Sequence, residues 1–347
     1  MRIALNIGYS GKRVQVPIEM IRRAESLGFD SVWVAEAWGS DAVSIASWIL
    51  AQTTRIKVGT AIMQMPARSP ANTAMTAMTL SQLSGNRFVV GLGASGPQVV
   101  EGWHGVAYGK PVTRLREYIS IMRLIMERKG PVEFNGEVYQ LPYRGTDATG
   151  LGKPLKSILE ATPGVPIYAA SFTPAGLAAA AEVADGAFPI WLVPNKPEMI
   201  EEPLAKGLAK RSDGKTRADF DIAPTVNVVI GDDVDACRQP VREMLALYIG
   251  GMGARDKNFY TRYTRDAGYE DAAIAIQDLF LAGRKDEAAR AVPDELVDQV
   301  SLNGPLERVR EQAAAWKRMG EQGRVGTMIL RVHQPEYLET IADLLLA

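Results

Sequence analysis

Histidine and cysteine are nearly missing from this chain. Its 347 residues include two histidines, His104 and His333, and one cysteine, Cys237. A structural zinc site takes about four Cys or His ligands, so the chain cannot assemble one, and no metal is expected. A single cysteine excludes an internal disulfide and agrees with a reducing, cytoplasmic setting. A Cys-His or Ser-His mechanism would have to run through one of the two histidines. An excess of one charge is absent as well: 39 Lys plus Arg stand against 40 Asp plus Glu. Electrostatic nucleic-acid binding needs a basic excess, so no nucleic-acid partner is expected. No apolar run reaches the ~18 residues of a membrane helix. The opening Met1-Arg2-Ile3-Ala4-Leu5-Asn6-Ile7 reads as a strand, not as a signal peptide.

What is present is a regular alternation of short apolar runs and helical periods. Strands are predicted at 2–8, 31–35, 56–62, 87–93, 165–170, 186–192, 220–230 and 325–332. Helices are predicted at 16–27, 41–53, 70–83, 112–128, 174–184, 197–210, 305–319 and 335–346. Asp41, Ser69 and Thr173 stand where N-caps belong, the last two followed by proline at the first helical position. Asn135-Gly136 suggests the turn of a small hairpin within 132–141. Eight βα steps predict an α/β fold closed as a (β/α)8 TIM barrel, one domain over residues 1–347. Residues 232 to about 300 read as a helical insertion between strands seven and eight. An open doubly wound sheet is the alternative. In a barrel, chemistry gathers at the C-terminal ends of the strands and the loops after them.

Three such ends stand out. Gly91-Leu92-Gly93-Ala94-Ser95-Gly96 spells GxGxxG after the fourth strand. A dinucleotide fingerprint belongs after the first strand of its unit, with an acidic residue at the end of the next strand. Here Glu117, at the right distance, falls inside a predicted helix. The small residues either make a tight exit from a strand or admit a flat cofactor to the backbone. Second, Tyr168 to Pro174 ends a strand and opens a helix. Its free N–H groups with Ser171 and Thr173 suit an anion, and no acidic residue follows until Glu182. The plainer reading is an ordinary capped helix. Third, Glu36 follows strand two. Met63, Met65, Trp103 and Trp191 lie near strand ends, where a cluster of them would line an apolar pocket.

The order of motifs then resembles a known family. The motifs are Gly28-Phe29-Asp30-Ser31-Val32-Trp33-Val34, Arg55-Ile56-Lys57-Val58-Gly59-Thr60-Ala61-Ile62, Pro66 to Pro70, Thr79-Leu80, and Leu83-Ser84-Gly85-Asn86-Arg87. Gly91-Leu92-Gly93, Val165-Pro166-Ile167-Tyr168-Ala169-Ala170 and Glu182-Val183-Ala184-Asp185-Gly186 complete them. Together they resemble the bacterial luciferase-like superfamily, nearest its deazaflavin branch, which uses coenzyme F420. The resemblance is strong to about residue 195 and weak beyond. It implies a (β/α)8 barrel with the coenzyme at its C-terminal mouth and a hydride exchanged at the ring. It implies a non-prolyl cis peptide at Ala61–Ile62, with Thr60, Ala61 and Ile62 against the ring. Gly93, Ala94 and Ser95 would lie near the ring or ribityl chain. Ala170, Ser171, Phe172 and Thr173 would hold the phosphate, and Lys196 and Arg68 would meet the oligoglutamate tail. Glu36 falls where relatives place an acidic residue near the ring.

Two departures matter. Sugar-phosphate dehydrogenases of this branch carry a catalytic histidine where this chain has Ala37, and paired glutamates where it has Ser95-Gly96-Pro97-Gln98. The chain is more similar to the methylenetetrahydromethanopterin reductase type. The expected activity is an F420-dependent oxidoreductase acting on a small organic substrate. Glu36 and His104 are the candidate catalytic residues, and a homodimer is the default assembly. The alternatives are an FMN-dependent monooxygenase, whose flavin would activate oxygen, and a non-catalytic F420-binding protein.

Overall fold

A computed structural model describes residues 1–253, 255 and 258–346. Residues 254, 256 and 257, within the predicted insertion, and 347 lie outside the described residues. Eight parallel strands form the frame: β1 (Arg2–Asn6), β2 (Ser31–Val34), β3 (Lys57–Thr60), β4 (Phe88–Gly93), β5 (Ile167–Ala170), β6 (Gly186–Phe188), β7 (Thr225–Ile230) and β8 (Thr327–Val332). Pairing runs in chain order from β1 to β6, and β1 also pairs with β8, Arg2 opposite Thr327. The ring closes through one stretch of chain. Asp221–Ile222 pairs with β6, and β7, two residues on, pairs with β8. Pro224 lacks an N–H and divides the predicted strand 220–230 in two.

Helices α1 (Ile18–Ser26), α2 (Ala42–Gln52), α3 (Pro70–Ser84), α4 (Pro111–Glu127), α5 (Pro174–Val183), α6 (Glu198–Leu208), α7 (Leu306–Glu321) and α8 (Leu338–Leu346) surround the strands. Their starts follow the cap residues. The side chains of Asp41, Ser69 and Thr173 accept from Ser44 N, Asn72 N and Gly176 N. Between strands and helices lies the main core, built from alternate strand residues such as Ile3, Leu5, Val32, Val34, Val90 and Leu92. Burying each such side chain contributes about 1.5–3 kcal/mol. The other strand face fills the barrel with Ala4, Trp33, Val89, Tyr168, Phe188, Ala223 and Ile329.

The insertion is helical as expected, with helices Val234–Ala246, Phe259–Asp266, Glu270–Leu281, Lys285–Arg290 and Asp294–Val300. Other details differ from the sequence reading as well. Ser301–Gly304 is a further parallel strand on the edge of β7. Strand six is shorter than 186–192. The hairpin pairs Asn135 with Gln140, so its loop is Gly136–Tyr139, not a two-residue turn. That loop is organised by Glu117, whose carboxylate accepts from the N–H groups of Glu137, Val138 and Tyr139 at 2.7–2.9 Å. Glu117 is therefore spent on a loop, which removes the dinucleotide alternative. No described helix is long and apolar enough to cross a membrane.

The N-terminal end of the barrel is sealed by a polar plug. Asp221 Oδ2 accepts from Arg2 (2.6 Å), Tyr168 OH (2.8 Å) and Thr327 Oγ1 (2.6 Å). Asp221 is only 8% exposed. Asp221→Ala should strand three donors and lower stability by about 3 kcal/mol. Chemical denaturation would register this as a lower midpoint at unchanged slope. An unchanged midpoint would contradict it.

Candidate active site

At the opposite end, strand parity sets the mouth. Two or four residues beyond the interior layer, on the same strand face, stand Asn6, Gly93, Ala170, Asn227 and Arg331. Asn227 and Arg331 are register partners, as are Ala170 and Phe188. One side is thus small and apolar, the other polar. On the polar side His333 Nε2 meets Asn227 Oδ1 at 3.1 Å, and burial with the Arg331 charge pushes the His333 pKa down. Sequence periodicity could have singled out Asn6, Asn227 and Arg331, which follow apolar inward positions on their strands.

The small side is built by close approach. Thr60 Oγ1 exchanges hydrogen bonds with Gly91 N and O, both 2.9 Å, and Thr60 is fully buried. Its hydroxyl therefore supports β4 and does not face the mouth. The Thr60 carbonyl occupies the space a Cβ on residue 91 would need. A Cβ on Gly93 would come 2.5 Å from Ile62 Cδ1 and 3.3 Å from Ala170 Cβ. Ile62, Gly93 and Ala170 therefore meet. The peptide Ala61–Ile62 is cis. Ser95 takes φ 60, the left-handed region, and turns the chain from β4 into a short helix, Pro97–Gly102. Ala94 packs at the edge of the main core.

Glu36 is held tightly. Both its oxygens pair with Arg68 at 2.8 Å, Oε2 accepts from Gln64 N at 2.9 Å, and Oε1 from Ala42 N at 3.3 Å. The side chains of Glu36 and Arg68 are 8% and 14% exposed. Arg68 also pairs with Asp41. Burial disfavours the Arg68 charge, but Glu36 and Asp41 outweigh it and raise its pKa. Burial likewise opposes ionisation of Asp41, yet Ser44 and Arg68 hold its carboxyl below the ordinary range. Arg68 thus faces two carboxylates of its own chain. Beside this group His104 Nε2 lies 2.8 Å from Gln64 Oε1, and Gln64 Nε2 donates to Ala37 O at 2.6 Å. Gln64 gave no signal in the sequence, because its partners come from two other loops.

The start of α5 is the third part. Ala170 is exposed, Ser171 is largely buried with its backbone N–H on Phe188 O, and Thr173 caps the helix, which has no acidic residue in its first turn. Phe172 stacks on Tyr260 of the insertion (centroids 4.7 Å, 21°) and meets Tyr263 edge-on. Trp191 and Tyr248 complete that aromatic group. Burial raises the pKa of Tyr248 and of Tyr260, with Tyr9 adding to both, so both phenols are neutral at ordinary pH. Lys196 is half-buried beyond Trp191. The suggested cluster of Met63, Met65, Trp103 and Trp191 does not form. Both methionines belong to the main core, Trp191 to the insertion core, and Trp103 is 65% exposed.

Comparison with known proteins agrees with this architecture. A family model described as luciferase-like monooxygenase matches residues 2–322. A Mycobacterium tuberculosis protein named provisionally as a coenzyme F420-dependent oxidoreductase is 42% identical over 346 residues, 99% of each chain. The 5,10-methylenetetrahydromethanopterin reductase of Archaeoglobus fulgidus is 31% identical over 304 residues, 85% of each. The structure of a coenzyme F420-dependent tetrahydromethanopterin reductase from Methanopyrus kandleri superposes with a TM-score of 0.77 at 20% identity, covering 100% of this chain and 99% of that one.

Proposed function

This chain belongs to the luciferase-like monooxygenase family, and from that premise we propose that it is a coenzyme F420-dependent oxidoreductase acting on a small organic substrate. The observation that carries the reading is the cradle at the mouth: exposed Ala170 and the acid-free start of α5 beside the small wall of Ile62, Gly93 and Ala170. These residues fit the coenzyme, because a phosphate needs free N–H and hydroxyl donors and a flat ring needs a wall of small side chains. Ser171, Phe172 and Thr173 with Ala170 would hold the phosphate. Ala61, Ile62, Gly93, Ala94 and Ser95 would line the ring and its chain. When bound, the coenzyme supplies a hydride. The full-length likeness to a relative named provisionally as F420-dependent favours this coenzyme over FMN.

The chain's own groups divide the remaining work. Glu36 anchors Arg68 and the N–H of Gln64, and so holds the end of β3 where Ala61 and Ile62 stand. The aromatic group around Phe172 keeps water from the α5 side. Across from the small wall, exposed Arg331 would offer the substrate a polar contact, beside Asn6 and buried Asn227. A homodimer is part of the same proposal.

Titration of the purified protein with F420 and with FMN, followed by coenzyme fluorescence, tests the reading. Micromolar or tighter binding of F420 is expected, with FMN at least tenfold weaker. Binding of FMN alone would overturn it in favour of a monooxygenase. Tight F420 binding without turnover of any acceptor in a broad panel would point to a carrier.

A further inference from the structure

We propose that Gln64 is a positioning residue that orients His104 as the proton donor of the mouth, with Nδ1 as the nitrogen that releases the proton. The inference rests on the reading above for its hydride, but its geometric half stands without any ligand.

Gln64 is 1% exposed, and one end of its amide lies 2.6 Å from the Ala37 carbonyl oxygen. A carbonyl only accepts, so that end is the NH2 group, and the end facing His104 is the oxygen. An amide oxygen also only accepts. His104 Nε2, 2.8 Å away, must therefore carry hydrogen in both the neutral and the charged imidazole. Neutral imidazole has a single N–H, so the basic nitrogen is Nδ1, which has no hydrogen-bond partner among the described residues. Any proton gained or lost by His104 passes through Nδ1.

Gln64 is fixed from its other side. Its backbone N–H is held by Glu36, Glu36 by both terminal nitrogens of Arg68, and Arg68 by Asp41. A half-buried loop histidine kept only for packing has no need of this buried series of contacts behind it. The His104 backbone is secured too, its N–H on Val99 O at 3.1 Å. On its own loop the Glu101 carboxylate is engaged with Tyr108 N, and so is not directed at the imidazole by that contact.

The chemistry balances. The coenzyme, when bound and reduced, would supply a hydride to the electrophilic carbon of a carbonyl or enone, leaving the displaced electron pair on oxygen. The imidazolium of His104 gives that oxygen the proton from Nδ1 and ends neutral, its Nε2–H still on Gln64. The acceptor gains two electrons and two hydrogens, and the coenzyme is oxidised by two electrons.

The two-histidine composition makes the test direct. In protein labelled with 15N in the imidazoles, His333→Gln leaves His104 as the single reporter. At a pH where the ring is neutral, unmodified protein without ligand should show the Nε2–H tautomer. Gln64→Leu should lose that preference. With reduced F420 and 2-cyclohexen-1-one as a generic enone, Gln64→Leu should lower kcat at least tenfold. Its KM for the coenzyme should stay within about twofold. His104→Gln should lower kcat by ~100-fold, and the double variant no further, since both residues act as one unit. An unchanged tautomer in Gln64→Leu, full turnover by His104→Gln, or additive losses in the double variant would overturn the proposal. Failure of F420 to bind the unmodified protein, read by fluorescence, would instead overturn the coenzyme, and the tautomer spectra would still decide the role of Gln64.

Discussion

Gly91→Ala is expected to cost about 4 kcal/mol and to lower the melting temperature by roughly 10 °C, if the protein folds at all. The added Cβ would stand inside contact distance of the Thr60 carbonyl oxygen and carbon, and 2.9 Å from Phe188 Cε2. The first obstruction is backbone in a paired strand, which cannot rotate away as a side chain can. Thr60 is also tied by its hydroxyl to both polar groups of residue 91, so a shift at either residue breaks two buried hydrogen bonds. Gly93→Ala makes the control. Its Cβ meets the tip of Ile62, a flexible end, and should cost about 1 kcal/mol. Parallel thermal melts decide the matter. Equal melting temperatures for the two variants would show that the Thr60–Gly91 contact is not the constraint described.

The second large effect falls on Glu36. Glu36→Leu should lower stability by about 3–5 kcal/mol, because it leaves Arg68 charged, mostly buried and short of its bidentate partner. It also strips acceptors from the N–H groups of Gln64 and Ala42. Turnover should fall at least 100-fold, since both the end of β3 and the support of Gln64 are disturbed. The double variant Glu36→Leu/Arg68→Leu separates the two consequences. Removing both charges should restore most of the stability and none of the turnover. Recovery of turnover in the double variant would show that Glu36 matters only as a counter-charge.

The frame of the molecule was readable because it repeats. Alternating strand residues, the caps Asp41, Ser69 and Thr173, and eight similar steps are local signals, and each helix start lies within three residues of its predicted place. The cis peptide at Ala61–Ile62 was not local in this sense. It came from a resemblance carried by the order of motifs, because no residue type at 61 or 62 demands it. What escaped was made by contacts distant in sequence. Gln64 and His104 are 40 residues apart and meet only because Ser95 turns the chain into a short helix absent from the sequence reading. Glu117 had the spacing of a ribose ligand, but the loop twenty residues on takes its carboxylate. At Gly91 the sequence correctly demanded a small residue but could not say for what. The space is filled by the neighbouring strand's carbonyl, not by a ligand.

The pairing of β1 with β8 has a consequence for synthesis. Arg2 and Thr327, hydrogen-bonded side chain to side chain, are separated by 325 positions. At about 5–20 residues per second, a ribosome needs on the order of tens of seconds to make that interval. Throughout it, one edge of the first strand has no native neighbour, and the Asp221 plug lacks Thr327. Nascent chains are therefore expected to be most exposed to edge-to-edge association late in translation, when most of the ring is assembled and the gap is still open.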